Sequence, residues 1–368
     1  MNSKVIKPFV RMLISDTGGG HRACAEALEA ALGDRVTTDI IDLMVNSGTP
    51  GIEKMPAIYA WLEEHPKIWG VLWYLLDGPA RCKALSDPAW LAARRRYKEL
   101  ITEGNPDLVI VLHPYLTTGA MRALRDQHTQ LAVVVTDPVT PHAAWFGSRL
   151  SRTYVSTRTA RQRALACGID ASNIRIAGHP VHPRVMRLAG HREALREKYG
   201  WNNRTVLLTG GADATGLMAL VEAAQPACDR LVVICGRNES LYRKLTTRND
   251  LEALGFVADL PERMCAADVV VTKAGPSTLA ECEAVGTPVI ISSYMPGQET
   301  GNIRWITERG LGSVALKPAK LRSELRYWLN NAERCQHLRN TATSVVNEAV
   351  SLQLADELLA LISGRKPV

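Results

Sequence analysis

Two glycine-anchored loops, one near the start of the chain and one just past residue 270, carry side chains suited to moving a proton and to holding a diphosphate. The first, Ser15-Asp16-Thr17-Gly18-Gly19-Gly20-His21, follows an apolar run and precedes an alanine-rich helix. Glycines there let backbone N–H groups and a helix N-terminus approach a ligand with no side chain in the way, so Gly19 and Gly20 are candidates for an acceptor site. His21, at the start of that helix, would point at the same place. An imidazole takes a proton from an alcohol near neutral pH, and the positive end of the helix dipole keeps it neutral. A histidine that merely bonds a loop carbonyl is the plainer alternative. Thr136-Asp137-Pro138 ends another apolar run, where Asp137 either activates a hydroxyl or caps the next turn. Trp145-Phe146 offers an apolar wall for an acceptor; His142, and His113 at another strand end, lie nearby in the sequence.

The second loop, Lys273-Ala274-Gly275-Pro276-Ser277-Thr278, again joins an apolar run to a helix start. It supplies donors and a positive dipole end for a diphosphate from Ala274, Gly275, Pro276, Ser277 and Thr278. Glu281 stands three residues beyond Thr278, where a carboxylate can accept both hydroxyls of a ribose or simply sit at the helix surface. Gln298 and Glu299, side by side after Pro296-Gly297, suit sugar hydroxyls, and Asn302 either caps a helix or meets phosphate. Gly210-Gly211 closes an earlier run and could also approach a pyrophosphate. Phe256, with Val257, lies where a pyrimidine ring could rest. No Asp-x-Asp pair occurs, so a metal on the diphosphate is not indicated. Neither a GxxxxGK(S/T) loop nor a GxSxG elbow is present, which weakens nucleotide hydrolase and serine hydrolase readings.

These loops need strand ends to hold them. Short apolar runs at residues 9–14, 36–43, 107–112, 131–136, 152–156 and 174–177 alternate with helical stretches. The pattern restarts at 205–209, 230–235, 255–257, 268–272 and 289–292. Strands alternating with helices imply parallel βαβ units with right-handed crossovers. A chain of 368 residues is long for one core, so two doubly wound α/β domains are expected. The boundary is read near 182–183, giving 1–182, 183–345 and a final helix over 346–368 that packs back on the first domain.

One stretch breaks the rhythm. Residues 52–76 hold Trp61, Trp69 and Trp73 beside Tyr59 and Tyr74, a composition suited to a membrane interface or to a helical pair packed on its own domain. Charge is uneven: residues 1–184 carry 22 Lys and Arg against 17 Asp and Glu, a balance of +5, while the rest carries 22 against 20, a balance of +2. A basic first half attracts an anionic partner, or is only a solvated helix face. No run of 18 apolar residues appears, and Met1 to Pro8 reads as the approach to a strand rather than as a signal peptide. Eight scattered cysteines without CxxC spacing argue for reduced thiols in a cytosolic setting.

Taken together, Ser15–Ala23, Thr136-Asp137-Pro138 through Trp145-Phe146, Ile176 to Val181, Gly255-Phe256-Val257, Thr272 to Pro276, Glu281 and Gly297 to Asn302 resemble glycosyltransferase family 28, in its monogalactosyldiacylglycerol synthase and processive diacylglycerol glucosyltransferase branch. The similarity covers about residues 10–312. It implies a GT-B fold, two Rossmann-like domains facing a cleft. It also implies a UDP-sugar donor, diacylglycerol as acceptor, and inversion at the anomeric carbon without a cofactor or essential metal. Carried over by position, Glu281 holds the ribose, Gln298 and Glu299 the hexose, Phe256 and Val257 the uracil, and residues 274–278 the diphosphate. His21 or Asp137 stands near the nucleophile. The loop 210–216 is thinner in glycine than the family's pattern. The expected setting is cytoplasmic, peripheral on the inner face of the cell membrane, with an anionic lipid surface and no nucleic acid as partner. Rival readings are a transferase acting on another hydrophobic or soluble alcohol, a nucleotide-sugar binding subunit, and a sugar-nucleotide epimerase.

Overall fold

Valine, leucine and isoleucine dominate most of the strands, the composition of strands covered on both faces. The computed structural model describes residues 7–147, 149–210, 217–344 and 348–364. Within them, twelve strands form two six-stranded sheets with every ladder parallel. The first contains β1 (Phe9–Ile14), β2 (Thr37–Asp42), β3 (Leu108–Val111), β4 (Gln130–Val134), β5 (Arg152–Val155) and β6 (Ile174–Ile176), in the order β2-β1-β3-β4-β5-β6. The second contains β7 (Thr205–Thr209), β8 (Arg230–Ile234), β9 (Glu252–Leu254), β10 (Val269–Lys273), β11 (Val289–Ser293) and β12 (Gly312–Val314), in the order β12-β11-β10-β7-β8-β9. The chain divides into two compact units. Unit 1 spans Met1–His182, Pro296–Gln298 and Ala349–Val368; unit 2 spans Pro183–Met295 and Glu299–Glu348.

In unit 1 the period of two along the strands sorts side chains to two cores. Val10, Met12 and Ile14 of β1 pack with Leu28 and Leu32 of α1 (Gly20–Leu32) and with Leu354 and Leu358 of the helix Glu348–Ile362. On the opposite face Leu13, Val109 and Val111 meet Tyr97, Leu100 and Ile101. The last helix is tied further by Ser351, whose hydroxyl donates to the Val181 carbonyl at 2.7 Å and accepts from its N–H at 3.1 Å.

Unit 2 has the strand order of a dinucleotide-binding fold, counted outward from β7. Unit 1 adds one further strand, β6, beyond the last at one edge and lacks the third strand of that order at the opposite edge. At that point the chain between β2 and β3 folds instead into α2 (Pro50–Glu53), α3 (Met55–Glu64), α4 (Pro66–Leu76) and α5 (Pro79–Thr102). Arg11, 4% exposed inside β1, fastens the far end of this insertion. Its guanidinium donates to the carbonyls of Leu100 and Glu103 at 2.5 and 2.7 Å and to Asp39 at 3.0 Å. A cation on the last carbonyls of a long helix satisfies groups that have no partner within the helix.

Two strands differ from the sequence expectation. The strand read at 255–257 lies at Glu252–Leu254, and Gly255 follows its end. The short strand β12 was not anticipated. Both are three-residue edge strands, half-buried, and too short for a hydrophobic period to register.

The helix Pro276–Val285, which opens at the second glycine loop, ends on Gly286 at φ 70°. A Cβ there would stand 2.6 Å from the Arg339 Cα, so Gly286→Ala both strains the backbone and wedges the neighbouring helix. The substitution is expected to cost about 2 kcal/mol or more. Urea unfolding followed by a probe in unit 2 checks this, and an unshifted midpoint contradicts it.

Candidate functional site

In unit 1 the first glycine loop leaves β1 with Gly18 and Gly19 at φ 77° and 80°, a conformation that residues with a Cβ rarely adopt. Asp42 at the end of β2 anchors it, accepting from the Asp16 N–H at 2.8 Å while also accepting from Met44 and Val45 N–H groups. Asp16 in turn pairs side by side with the Arg22 guanidinium at 2.8 and 2.6 Å. The loop is therefore held from both flanks before α1 begins.

His21 lies just inside this loop, 8% exposed. Its Nδ1 is 2.9 Å from the Thr136 hydroxyl, and its ring stands edge-on to His113 at 4.7 Å. Burial lowers its pKa to about 4, against the raising influence of the Leu112 carbonyl and of Asp16. His113 is lowered further by burial and by His21, and His179, whose Nε2 lies 3.4 Å from the Cys24 sulfur, is lowered to about 4. Three neutral imidazoles thus sit at or beside the carboxyl ends of the strands, where doubly wound domains bind ligands.

Asp137, one residue further along than Thr136, is 3% exposed. Its Oδ2 accepts from the Trp145 indole at 2.6 Å and its Oδ1 from the Gln298 amide at 3.4 Å. Trp145 is fully buried: it holds Asp137 from within the core rather than forming an open wall. The three-residue segment Pro296–Gln298 belongs to this unit. The Thr140 hydroxyl reaches the carbonyls of Gly297 and Gln298 at 3.0 and 2.9 Å, and a Cβ on Gly297 would collide with Trp73. Thr136, Thr140 and Trp73 enter the site through contacts too distant in sequence to leave a local pattern.

The insertion has two faces. Leu62, Trp69 and Trp73 are buried, while Ile58, Trp61, Val71, Tyr74 and Leu75 are 44–61% exposed. Between α3, α4 and α5 lies an apolar cavity of about 370 Å³, walled by Ile52, Leu62, Trp69, Leu72, Trp73 and Trp90, with Tyr97, Tyr115 and Gly119 also lining it. Lys67, Arg81 and Lys83 are exposed on the same helices and Lys54 in the turn before α3, beside the exposed Glu53 and Glu64. Among the described residues no helix is long and apolar enough to cross a membrane.

In unit 2 the second loop leaves β10 through Ala274, which is buried, and Gly275, the cap before the helix; Pro276 takes the first helical position, with Ser277 and Thr278 half-buried in the first turn. Asn302, 1% exposed, donates to the Ala274 carbonyl at 2.9 Å and so holds this loop. Glu299 accepts from the Met295 N–H at 2.8 Å and lies 3.8 Å from the Lys273 ammonium. Glu281 is raised to about 7 by burial, more than Arg184 offsets. Phe256 is 66% exposed beyond the end of β9, with the Arg237 guanidinium 5.7 Å from its ring centre; Val257 beside it is half-buried. Gly210 follows β7, and Gly211 lies outside the described residues. Among the described residues no group of three or more His, Cys, Asp or Glu side chains is arranged to hold a metal ion.

Two family models match successive parts of the chain. Residues 21–181 match the model of monogalactosyldiacylglycerol (MGDG) synthase, and residues 205–304 match the glycosyltransferase family 28 C-terminal domain. A probable monogalactosyldiacylglycerol synthase, chloroplastic, from Glycine max is 30% identical over 97% of this chain and 72% of its own length. The monogalactosyldiacylglycerol synthase of Spinacia oleracea is 31% identical over 87% of this chain and 66% of its own. Among solved structures, Anabaena Alr3699/HepE in complex with UDP-glucose aligns over 97% of this chain and 99% of its own with a TM-score of 0.60 at 14% identity. CalG4, the calicheamicin glycosyltransferase, aligns over 98% and 100% with a TM-score of 0.63 at 14% identity. The fold is GT-B.

The histidines make unit 1 sensitive to acid. Folded, His21 and His179 stay neutral down to about pH 4, whereas an unfolded imidazole gains its proton near 6.5. The unfolded chain binds more protons between those values, so stability that is complete above 6.5 is lost as pH falls toward 4, by about 2 kcal/mol per histidine at pH 5. Glu281 in unit 2, raised in the folded state, works the other way: its destabilising effect grows as pH rises from 4.5 and is relieved on acidification. Hydrogen exchange corrected for intrinsic rates should therefore show protection of β1, β3 and β4 falling between pH 7 and 5, and that of β7 and β10 not falling with it. Parallel loss in both units is the contrary result.

Proposed function

Because the chain belongs to the monogalactosyldiacylglycerol synthase family, we propose that it is a hexosyltransferase that moves galactose or glucose from a UDP-sugar to the free hydroxyl of diacylglycerol. The observation that carries the lipid part of this reading is the apolar cavity within the insertion of unit 1. At about 370 Å³ and lined almost wholly by carbon, it suits part of an acyl chain, and a soluble sugar acceptor has no use for it. The exposed apolar residues of the same helices, flanked by lysines and arginines, suit a peripheral enzyme resting on an anionic lipid surface.

In this reading the acceptor oxygen forms its bond to the anomeric carbon as the bond from that carbon to the diphosphate breaks. Attack comes from the opposite face, so configuration inverts. The proton of the hydroxyl goes to His21, which is neutral at working pH. Asp137 already bears two N–H donors and holds Gln298 and Trp145 in position. The leaving UDP is held in unit 2 by the loop 274–278, whose helix N-terminus stabilises the growing charge without needing a metal. Glu281 accepts the ribose hydroxyls, Gln298 and Glu299 the hexose hydroxyls, and Phe256 with Val257 carries the uracil.

Purified protein, incubated with diacylglycerol in anionic vesicles and with UDP-galactose or UDP-glucose separately, should yield a glycolipid detectable by mass. His21→Ala should cut kcat about 10²–10⁴-fold while UDP still binds. Transfer only to a soluble alcohol favours the second acceptor reading. A changed nucleotide sugar with no acceptor present marks an epimerase, and UDP-sugar binding without any product marks a binding subunit.

The donor side has its own signature. A carboxylate must be ionised to accept both ribose hydroxyls, and Glu281 ionises near 7. UDP affinity is expected to rise about tenfold from pH 6 to pH 8, and Glu281→Gln should flatten that dependence. Titration calorimetry at three pH values decides; an equally steep profile in the variant removes Glu281 from the ribose.

A further inference from the structure

One hydrogen-bonded relay in unit 1 runs from the helical insertion to the end of β4. Tyr59 on α3 is half-buried. Its ring stands edge-on to Trp69 at 5.2 Å and borders the first glycine loop, where a Cβ on Gly18 would lie 3.7 Å from the Tyr59 Cε1. The Tyr59 hydroxyl donates to Gln298 Oε1 at 3.2 Å. Gln298 Nε2 donates to Asp137 Oδ1 at 3.4 Å, and the Trp145 indole donates to Asp137 Oδ2 at 2.6 Å. The backbone beneath is already fixed by the Thr140 hydroxyl on two carbonyls and by Trp73 against Gly297. What these backbone contacts leave to the side chain is the direction of its amide.

An amide has two ends of nearly the same shape and opposite polarity. A phenol donor at one end and a carboxylate at the other admit only one orientation, with oxygen toward Tyr59 and nitrogen toward Asp137. The carboxylate contact is the longer of the two, so the phenol completes the lock. We propose that Tyr59 is a positioning residue: it fixes the direction of the Gln298 amide and thereby which hexose epimer the donor site prefers. The proposal rests on the donor-sugar role of Gln298 set out above. Epimers that differ at one hydroxyl present that group in different directions. A locked amide offers its remaining donor and acceptor in a fixed order, whereas an amide free to turn can serve both epimers.

The test is donor binding by calorimetry on the full chain without lipid, using UDP, UDP-galactose and UDP-glucose. Tyr59→Phe keeps the ring against Trp69 and removes only the hydroxyl. UDP should bind the variant as it binds the wild type. The preferred UDP-hexose should bind about three- to tenfold more weakly, the value of one neutral hydrogen bond, and the ratio between the epimers should move toward one. In a Gln298→Ala background the same change should add nothing. Unchanged hexose affinities and epimer ratio, an equal loss for UDP itself, or a full effect in the Gln298→Ala background each overturn the positioning role. A wild-type protein that binds neither UDP-hexose overturns the donor reading beneath it, and a result of that kind is told apart by the absence of any hexose signal before substitution.

Discussion

A carboxylate with almost no access to water has to be surrounded by donors, and Asp137 is such a group. An unpaired buried charge costs several kcal/mol, so the chain around Asp137 is arranged to meet it: an indole from eight residues on and an amide from beyond residue 290. Those two partners bring constraints of their own. Trp145 must lie in the core, which seats the loop after β4. Gln298 must be delivered to unit 1, which draws Pro296–Gln298 out of the sequence neighbourhood of unit 2. The glycine at 297 follows from the same demand, because the segment runs against Trp73 with no space for a side chain atom. The insertion, the β4 loop and the 296–298 segment are thus joined through the hydrogen-bonding needs of one buried carboxyl group.

The strands were the most legible part of the chain. Parallel strands buried on both faces read as continuous runs of Val, Ile and Leu, and β1, β3, β4, β7 and β10 all announce themselves this way. The loops at Gly18–Gly20 and Gly275 were also readable, since positive φ and a close helix start demand particular residue types. Edge strands were not: β9 and β12 have three residues each, half exposed, and no periodicity survives at that length. The candidate site was legible in its titratable groups and blind in its supports. Tyr59, Thr140 and Arg11 act across separations of 239, 157 and 89 residues, and beyond the place of Tyr59 in an aromatic stretch nothing local points to these partners. The sequence offers Trp145 as apolar bulk, whereas its indole N–H is what meets Asp137.

The two sheets differ at both edges, unit 1 lacking the third strand of the order and adding β6 beyond the last. Unit 2 keeps all six strands of the dinucleotide-binding order, whereas unit 1 replaces the third with helices α2–α5. A missing edge strand leaves β2 at the margin, and its side chains are correspondingly half-buried. The replacement helices gain something a strand could not supply. A strand presents side chains to two faces of one layer, while three helices packed at their inner faces can enclose a cavity between them. The cavity is lined almost wholly by carbon, so water inside it makes few hydrogen bonds and is readily displaced by an apolar chain.

The same helices carry apolar residues on the side away from the cavity, and this settles how the insertion must be viewed energetically. α4 buries Trp69 and Trp73 on one side and exposes Val71, Tyr74 and Leu75 on the other. At roughly 25 cal/mol per Å² of apolar surface, leaving such residues in water forgoes stabilisation that folding alone would have taken by turning polar side chains outward. A helix that is apolar on both sides is stable in water only because its inner side is anchored, here through the Gly70–Pro296 and Trp73–Gly297 contacts. Its outer side is then free to be covered by something else. In the function proposed above, a lipid surface would meet both the apolar residues and the basic Lys54, Lys67 and Lys83 around them.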